Sequence, residues 1–376
     1  MQHLSEDIGV RLAGSDKADM AAEYARDEFE SWGYDVEMQD FSDTRPKSRV
    51  FAQVRVEQPD PRDLHNRVFL GSEAGSVSGT LVDAGIGLDA DFPEAAEGAI
   101  VLIQRQDVTF NDMAARALAH GALGVIVANN REGLFRGTID PATSLPVVAI
   151  SQADGAALRQ QLAAGDIDVS IGVPASIDGT NVIARPKSGV CRTLSGGHYD
   201  TVPWAPGAID NASGTALVLE LARAAAAAEL AGGCFVLFSA EEEGLLGSEY
   251  FVSQMSGEDR NNLVAYFNYD VVAGGTQIDV IGESGLEARA VTLGAAGGGN
   301  FVIGRLPEGT NSDHASFLKA GIPALMLTVD DLGVLHTERD TFDFARLHTE
   351  ALEPIAGLAF QLMQDVLRPS TPAATP

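Results

Sequence analysis

The reading of the chain turns on residues 196–214, GGHYDTVPWAPGAIDNASG. This stretch closes an apolar run, VCRTLS, and leads into a long segment of helix formers, SGTALVLELARAAAAAEL, so one His and two Asp stand where a buried strand gives way to a helix. A divalent cation such as zinc takes a few His and carboxylate ligands held on rigid backbone, and a strand end followed by a helix start supplies that rigidity. His198 and Asp210 are the first two candidate ligands. Asp200 is either a third ligand or the acceptor for the other ring N–H of His198, which would fix its tautomer. The same residues also read as a turn in which Asp210 or Asn211 caps the helix. The loop alone does not decide between the two.

Working outward, the chain from Asn181 onward alternates apolar runs with helical segments, the pattern of an α/β layer architecture. The runs CFVLFSA, LVAYFNYD, QIDVIG, NFVIGRL and PALMLTV read as strands. Functional side chains recur just after them: Glu241, Glu242 and Glu243 after the first, Asp270 at the end of the second, and His336 a short loop beyond the last. Ligand sites of α/β sheets gather at such carboxyl ends. Three adjacent carboxylates repel one another unless solvent or a cation neutralises them. Singly, the glutamates read as a solvated helix start and His336 as a loop histidine. Together, at successive strand ends, they call for a common partner.

The motifs GGHYD, GAIDNASG, SAEEEGLLGS, NYD, SDHASFLKAGIPA and LHTERDT, in this order, resemble the zinc-dependent metallopeptidase family that includes bacterial secreted leucyl aminopeptidases and glutamate carboxypeptidase. The resemblance implies a central, mainly parallel mixed sheet flanked by helices. It also implies two Zn2+ ions, with Co2+ or Mn2+ as substitutes, sharing Asp210 as a bridge. His198 and Asp270 would complete one ion, Glu242 and His336 the other, with Asp200 behind His198 and Glu241 as general base. The family pattern A-E-E-x-G-L-x-G-S places Glu243 at its variable position, expected at a solvated surface or substrate rim. The Asp210–Asn211 peptide is expected to be cis. His314 is a candidate for steadying the substrate or the oxyanion, with a helix-cap pair formed with Asp313 as the alternative.

Ahead of this region, residues 15–33 carry helical periodicity through Met20, Ala21, Tyr24, Ala25, Phe29 and Trp32, and YDVEMQDF alternates as a strand. Between them and the first motif lies a different texture of short strands and turns, RVFAQVRV, GTLVDAG, AIVLIQR, GVIVANN and LPVVAIS, interrupted by the helices FNDMAARALAHG and QADGAALRQQLAAG. This resembles the protease-associated domain often inserted in such peptidases. The expected division is a peptidase domain of residues 1–43 and 176–368, a β-rich insert of residues 44–175, and a disordered Pro-, Thr- and Ala-rich tail at 369–376. His65 and His120, within the insert, read as solvated or capping residues.

The formal net charge of −28 arises from 53 acidic and 25 basic residues, with only four lysines, Lys17, Lys47, Lys187 and Lys319. Nucleic acid and anionic membrane are poor partners for such a chain. The balance looks like adaptation to high salt, where screening relieves repulsion between surface carboxylates. No apolar window is long enough to span a bilayer, so no membrane insertion is expected. The first residues carry neither a charged nor an apolar leader pattern, which reads as cytoplasmic or as a mature, trimmed chain. Cys191 and Cys234 fall in apolar runs and are expected as free, buried thiols. The expected activity is aminopeptidase action on peptides, through a zinc-activated water. Two alternatives stay open: a carboxypeptidase or dipeptidase using Arg305 or Arg339 to meet a free carboxylate, and a non-catalytic receptor-like protein of the same architecture. The sequence assigns no oligomeric state.

Overall fold

The strand Thr193–His198 is buried along its whole length, yet half of it is Ser and Gly. The small residues are there because of close approaches. A Cβ on Gly197 would lie 2.5 Å from the carbonyl oxygen of Tyr269, and one on Gly196 2.6 Å from Val236. The strand therefore sits at the centre of a sheet, paired in parallel with Gly233–Phe238 on one side and with Ala265–Tyr269 on the other. In the computed structural model of the chain, residues 1–367 are described apart from 188, 189, 298, 331 and 332. The expected tail, 369–376, lies outside the described residues.

Residues 1–42 and the described residues from 178 onward form one compact unit, and residues 43–177 form another. In the first unit eight strands are ordered Tyr34–Asp43, Ile177–Pro186, Gly233–Phe238, Thr193–His198, Ala265–Tyr269, Ala324–Val329, Ile278–Gly282 and Phe301–Ile303. The four central strands are parallel, so their carboxyl ends share one edge. Ile177–Pro186 joins antiparallel to Gly233–Phe238, and Ile278–Gly282 antiparallel to Ala324–Val329, which makes the sheet mixed.

Along Gly233–Phe238 the side chains alternate between two cores, as the pleat of a strand buried on both faces requires. Phe235 and Leu237 join the cluster that takes in Phe29, Leu221 and Leu358 from the helices Asp16–Ser31, Ala212–Ala227 and Leu352–Leu367. Cys234, Val236 and Phe238 join the cluster with Phe251 and Phe317 from Leu246–Gln254 and His314–Lys319. Each fully buried Phe or Leu stabilises by about 1.5–3 kcal/mol relative to exposure. Helix Asp16–Ser31 starts where Ser15 accepts the N–H of Ala18 and buries Ala18, Ala21, Ala22, Ala25 and Phe29. Met20, expected on that face, is 52 % exposed: the buried stripe at spacings of three and four passes beside it.

The expectation of free thiols is corrected. Cys191 and Cys234 form a disulfide with Cα atoms 5.5 Å apart. The main-chain N–H groups of Arg192 and Thr193 both donate to the carbonyl of Gly232. This draws the start of one central strand against the start of its neighbour and brings the two cysteines together. A cross-strand pairing of this kind leaves no local pattern in the sequence.

The second unit has its own eight-stranded sheet, ordered Arg62–Asp63, Gln53–Gln58, Asp168–Val173, Gly75–Asp83, Ile100–Gln104, Gly124–Ala128, Val147–Ile150 and Asn66–Val68. Helices Phe110–Ala119 and Gln152–Leu162 begin after Thr109 and Ser151, whose hydroxyls accept the N–H of the third helical residue, Asp112 and Asp154. His120 ends the first of these helices, stacked on Phe92 with ring centroids 4.7 Å apart.

Candidate metal centre

The carboxyl edge of the first unit's sheet collects the charged residues. His198 ends its strand, Glu241 and Glu242 follow Gly233–Phe238, and Asp270 follows Ala265–Tyr269. Asp210 lies just before helix Ala212–Ala227, whose first turn is capped by Asn211 accepting the N–H of Gly214. Asn211 also donates to the carbonyl of Tyr269, locking the helix start to the strand that precedes Asp270. The Asp210–Asn211 peptide is cis.

Two triads result. His198 Nε2 lies 3.2 Å from Asp210 Oδ1 and 3.2 Å from Asp270 Oδ1. His336 Nε2 lies 3.1 Å from Asp210 Oδ2 and 3.2 Å from Glu242 Oε2. Asp210 thus gives one oxygen to each triad, and within each triad the possible ligand atoms fall within 4.8 Å of one another. A single imidazole N–H serves one acceptor well, so each ring faces one carboxylate oxygen more than it can satisfy. The buried Glu242 Oε1 has no hydrogen-bond partner at all among the described residues. One cation per triad would resolve both deficits. Ligands about 2.0–2.2 Å from a tetrahedral zinc stand roughly 3.3 Å apart, close to the spacings found.

Electrostatics point the same way. Burial opposes charging of His198, but the carboxylates of Asp270 and Glu241 outweigh it and hold the ring's proton affinity well above the ordinary value. The charge of Glu242, working against burial and aided by Asp210, pushes His336 up to about 11. Burial also opposes ionisation of Asp210, yet hydrogen bonds from both histidines pull its carboxyl well below the usual range. Without cations the cluster would have to charge both imidazoles to balance its carboxylates.

Behind the triads stands a buried frame. His198 Nδ1 meets the main-chain oxygen of Asp200 at 3.2 Å and its Oδ1 at 3.5 Å, which leaves Nε2 facing Asp210 and Asp270. The two oxygens of Asp200 accept the N–H groups of Glu241 and Glu242. Ser312 donates to Asp270 Oδ2 at 2.7 Å and is itself held by Asn268. Asp340 accepts the N–H groups of Ile209 and Asp210. The wholly buried Arg11 donates to the carbonyls of Tyr199, Pro206 and Gly207. Arg11 went unmarked in the sequence, and Asp340 was visible only as part of LHTERDT.

Glu241 is part of neither triad. Burial, with the charges of Asp270 and Glu242 added to it and His198 opposing, raises its proton affinity well above that of an ordinary glutamate. Glu243 departs from expectation, being only 3 % exposed. The N–H groups of Gly244 and Leu245 both return to the carbonyl of Glu241, and this tight turn carries Glu243 inward. His314 is buried, lowered to about 4 by desolvation and therefore neutral, with no hydrogen bond at Nδ1 among the described residues. Asp313 stands at the N-cap position of helix His314–Lys319, but its side chain makes no cap hydrogen bond among the described residues. Arg305 and Arg339 are both exposed.

Residues 181–363 match the sequence pattern described as Peptidase family M28, and residues 77–158 match the PA domain. Aminopeptidase YwaD of Bacillus subtilis is 32 % identical over 350 residues, spanning 86 % of this chain and 72 % of its own. A probable leucine aminopeptidase 2 of Aspergillus fumigatus is 32 % identical over 263 residues, and the chain spans 52 % of it. Among solved structures, BSAP, a zinc aminopeptidase from Bacillus subtilis, superposes with a TM-score of 0.74 at 28 % identity, covering 99 % of this chain and 94 % of that one. The aminopeptidase from Aneurinibacillus sp. strain AM-1 gives 0.63 at 30 % identity, covering 100 % and 94 %.

Proposed function

Because the chain belongs to peptidase family M28, we propose that it is a two-zinc aminopeptidase that removes N-terminal residues from peptides. The observation that carries this reading is the division of Asp210 between two triads, one oxygen to each. His198 and Asp270 would hold one ion with it, Glu242 and His336 the other. The bound pair would supply Lewis acidity to the scissile carbonyl and bring the pKa of a water between them toward neutrality.

The chain's own part is to place a base and to keep it apart from the ligands. Neighbouring side chains diverge, so Glu242 can reach an ion while Glu241, one residue earlier, faces the nucleophile. Glu241 is the proposed base, which would take the water's proton and pass it to the leaving amine. Asp200 fixes the main chain of both glutamates and the ring of His198 at once.

The test is metal content and hydrolysis measured together, before and after chelation. Two equivalents of zinc should be lost with activity and both restored on adding zinc back. Aminoacyl p-nitroanilides should be cleaved and N-blocked peptides should not. Cleavage of N-blocked peptides at a free carboxyl end would reverse the assignment to a carboxypeptidase, and activity untouched by complete metal removal would sink the mechanism.

A further inference from the structure

The two histidines facing Asp210 are oriented by different means. His198 is 1 % exposed, its ring nitrogen Nδ1 is turned to Asp200, and its carbonyl accepts the hydroxyl of Thr215 at 2.8 Å. The His336 side chain is 44 % exposed, and among the described residues its Nδ1 has no hydrogen bond. Metal-ligating histidines almost always give their second ring nitrogen a partner, which holds the ring in orientation. His336 is held by its main chain instead. Its backbone takes φ 55°, in the left-handed region that a residue with a side chain keeps only when its surroundings enforce it. Its carbonyl accepts the indole N–H of Trp204 at 2.9 Å.

Trp204 has a firm base from which to do this. It lies on the loop between His198 and Asp210, and that loop is fixed on both sides. Arg11 donates to the carbonyls of Tyr199, Pro206 and Gly207 at 2.6, 2.8 and 2.9 Å. The carboxylate of Asp340, four residues beyond His336, accepts Ile209 and Asp210 at 2.7 and 3.0 Å. The loop that supplies the shared carboxylate therefore also reaches across to the histidine of the second triad.

We propose that Trp204 is a positioning residue for His336, its indole N–H doing through the main chain what Asp200 does through the ring of His198. The ion held by Asp210, Glu242 and His336 then depends on Trp204, and the ion held by His198 and Asp270 does not. This inference rests on the two-ion reading of the site.

The test is zinc titration of the chelator-stripped full chain against a chromogenic competitor, for wild type, W204F, and a W32F chain in which biosynthesis replaces Trp204 by its benzothiophene analogue. The analogue keeps the ring and removes only the N–H, so it answers should W204F fold poorly. Loss of such a supporting partner lowers metal affinity by about 10-fold or more. One of the two zinc equivalents should weaken by that factor in both variants while the other keeps its wild-type affinity. In W32F with natural Trp204, the remaining tryptophan emission should shift on binding of the equivalent that the variants weaken. Equal weakening of both equivalents, or none, overturns the proposal. A wild-type chain that takes up fewer than two ions fails earlier, at the functional reading itself.

Discussion

Glu241 and Glu242 are consecutive residues with proposed tasks that differ completely, and one carboxylate, Asp200, holds the main-chain N–H of each. Replacing the proposed base should separate chemistry from binding. E241Q is expected to keep two zinc equivalents while turnover falls about 10²–10⁴-fold, the usual contribution of a positioned proton-transfer group. Unchanged turnover with full metal would refute the role. D200N should act instead on the site's assembly, lowering zinc affinity about 10–100-fold, as loss of a partner behind a ligand does. Equilibrium competition with a chelator would show it, and wild-type affinity would count against Asp200 as the support of His198 and the two glutamates. The triad residues were legible in the sequence because each carries a ligand-type side chain at the end of an apolar run or on the loop that follows one. Arg11 was not, because it acts on backbone carbonyls, and any residue type can supply those.

Gly233–Phe238, Ala265–Tyr269 and Ala324–Val329 were legible element by element because a strand buried on both faces reads as a near-continuous apolar run between turn residues. Their neighbours in space were not. Leu194 stands opposite Cys234 in the register of two strands separated by a long helix, and nothing near either cysteine announces the bridge. A disulfide spanning 43 residues stabilises mainly by restricting the unfolded chain, by about 2–4 kcal/mol. C191S/C234S should accordingly lower the urea midpoint, and so should wild-type protein held in reductant. Identical midpoints for the double variant and the oxidised wild type would mean that the bridge does not form in solution. Turn direction was equally hidden: Glu243 went inward because Gly244 and Leu245 fold back on Glu241, which side-chain periodicity cannot report.

At the scale of the whole molecule, a net charge of −28 must be accommodated by a chain with few basic partners. Salt at molar concentration shortens the screening length to about 3 Å, so self-repulsion between surface carboxylates should fade. Thermal midpoints are expected to climb from low to molar sodium chloride, and a flat profile would dispose of the salt-adaptation reading. The division of the chain has a kinetic consequence as well. The first unit is discontinuous: its edge strand, Tyr34–Asp43, pairs with Ile177–Pro186, and the guanidinium of Arg11 is enclosed by carbonyls near residue 200. During synthesis, residues 1–42 have no sheet to join until the intervening unit has been made. Collapse of that unit into a compact body would hold the two halves near each other, shortening the diffusive search that closes the loop.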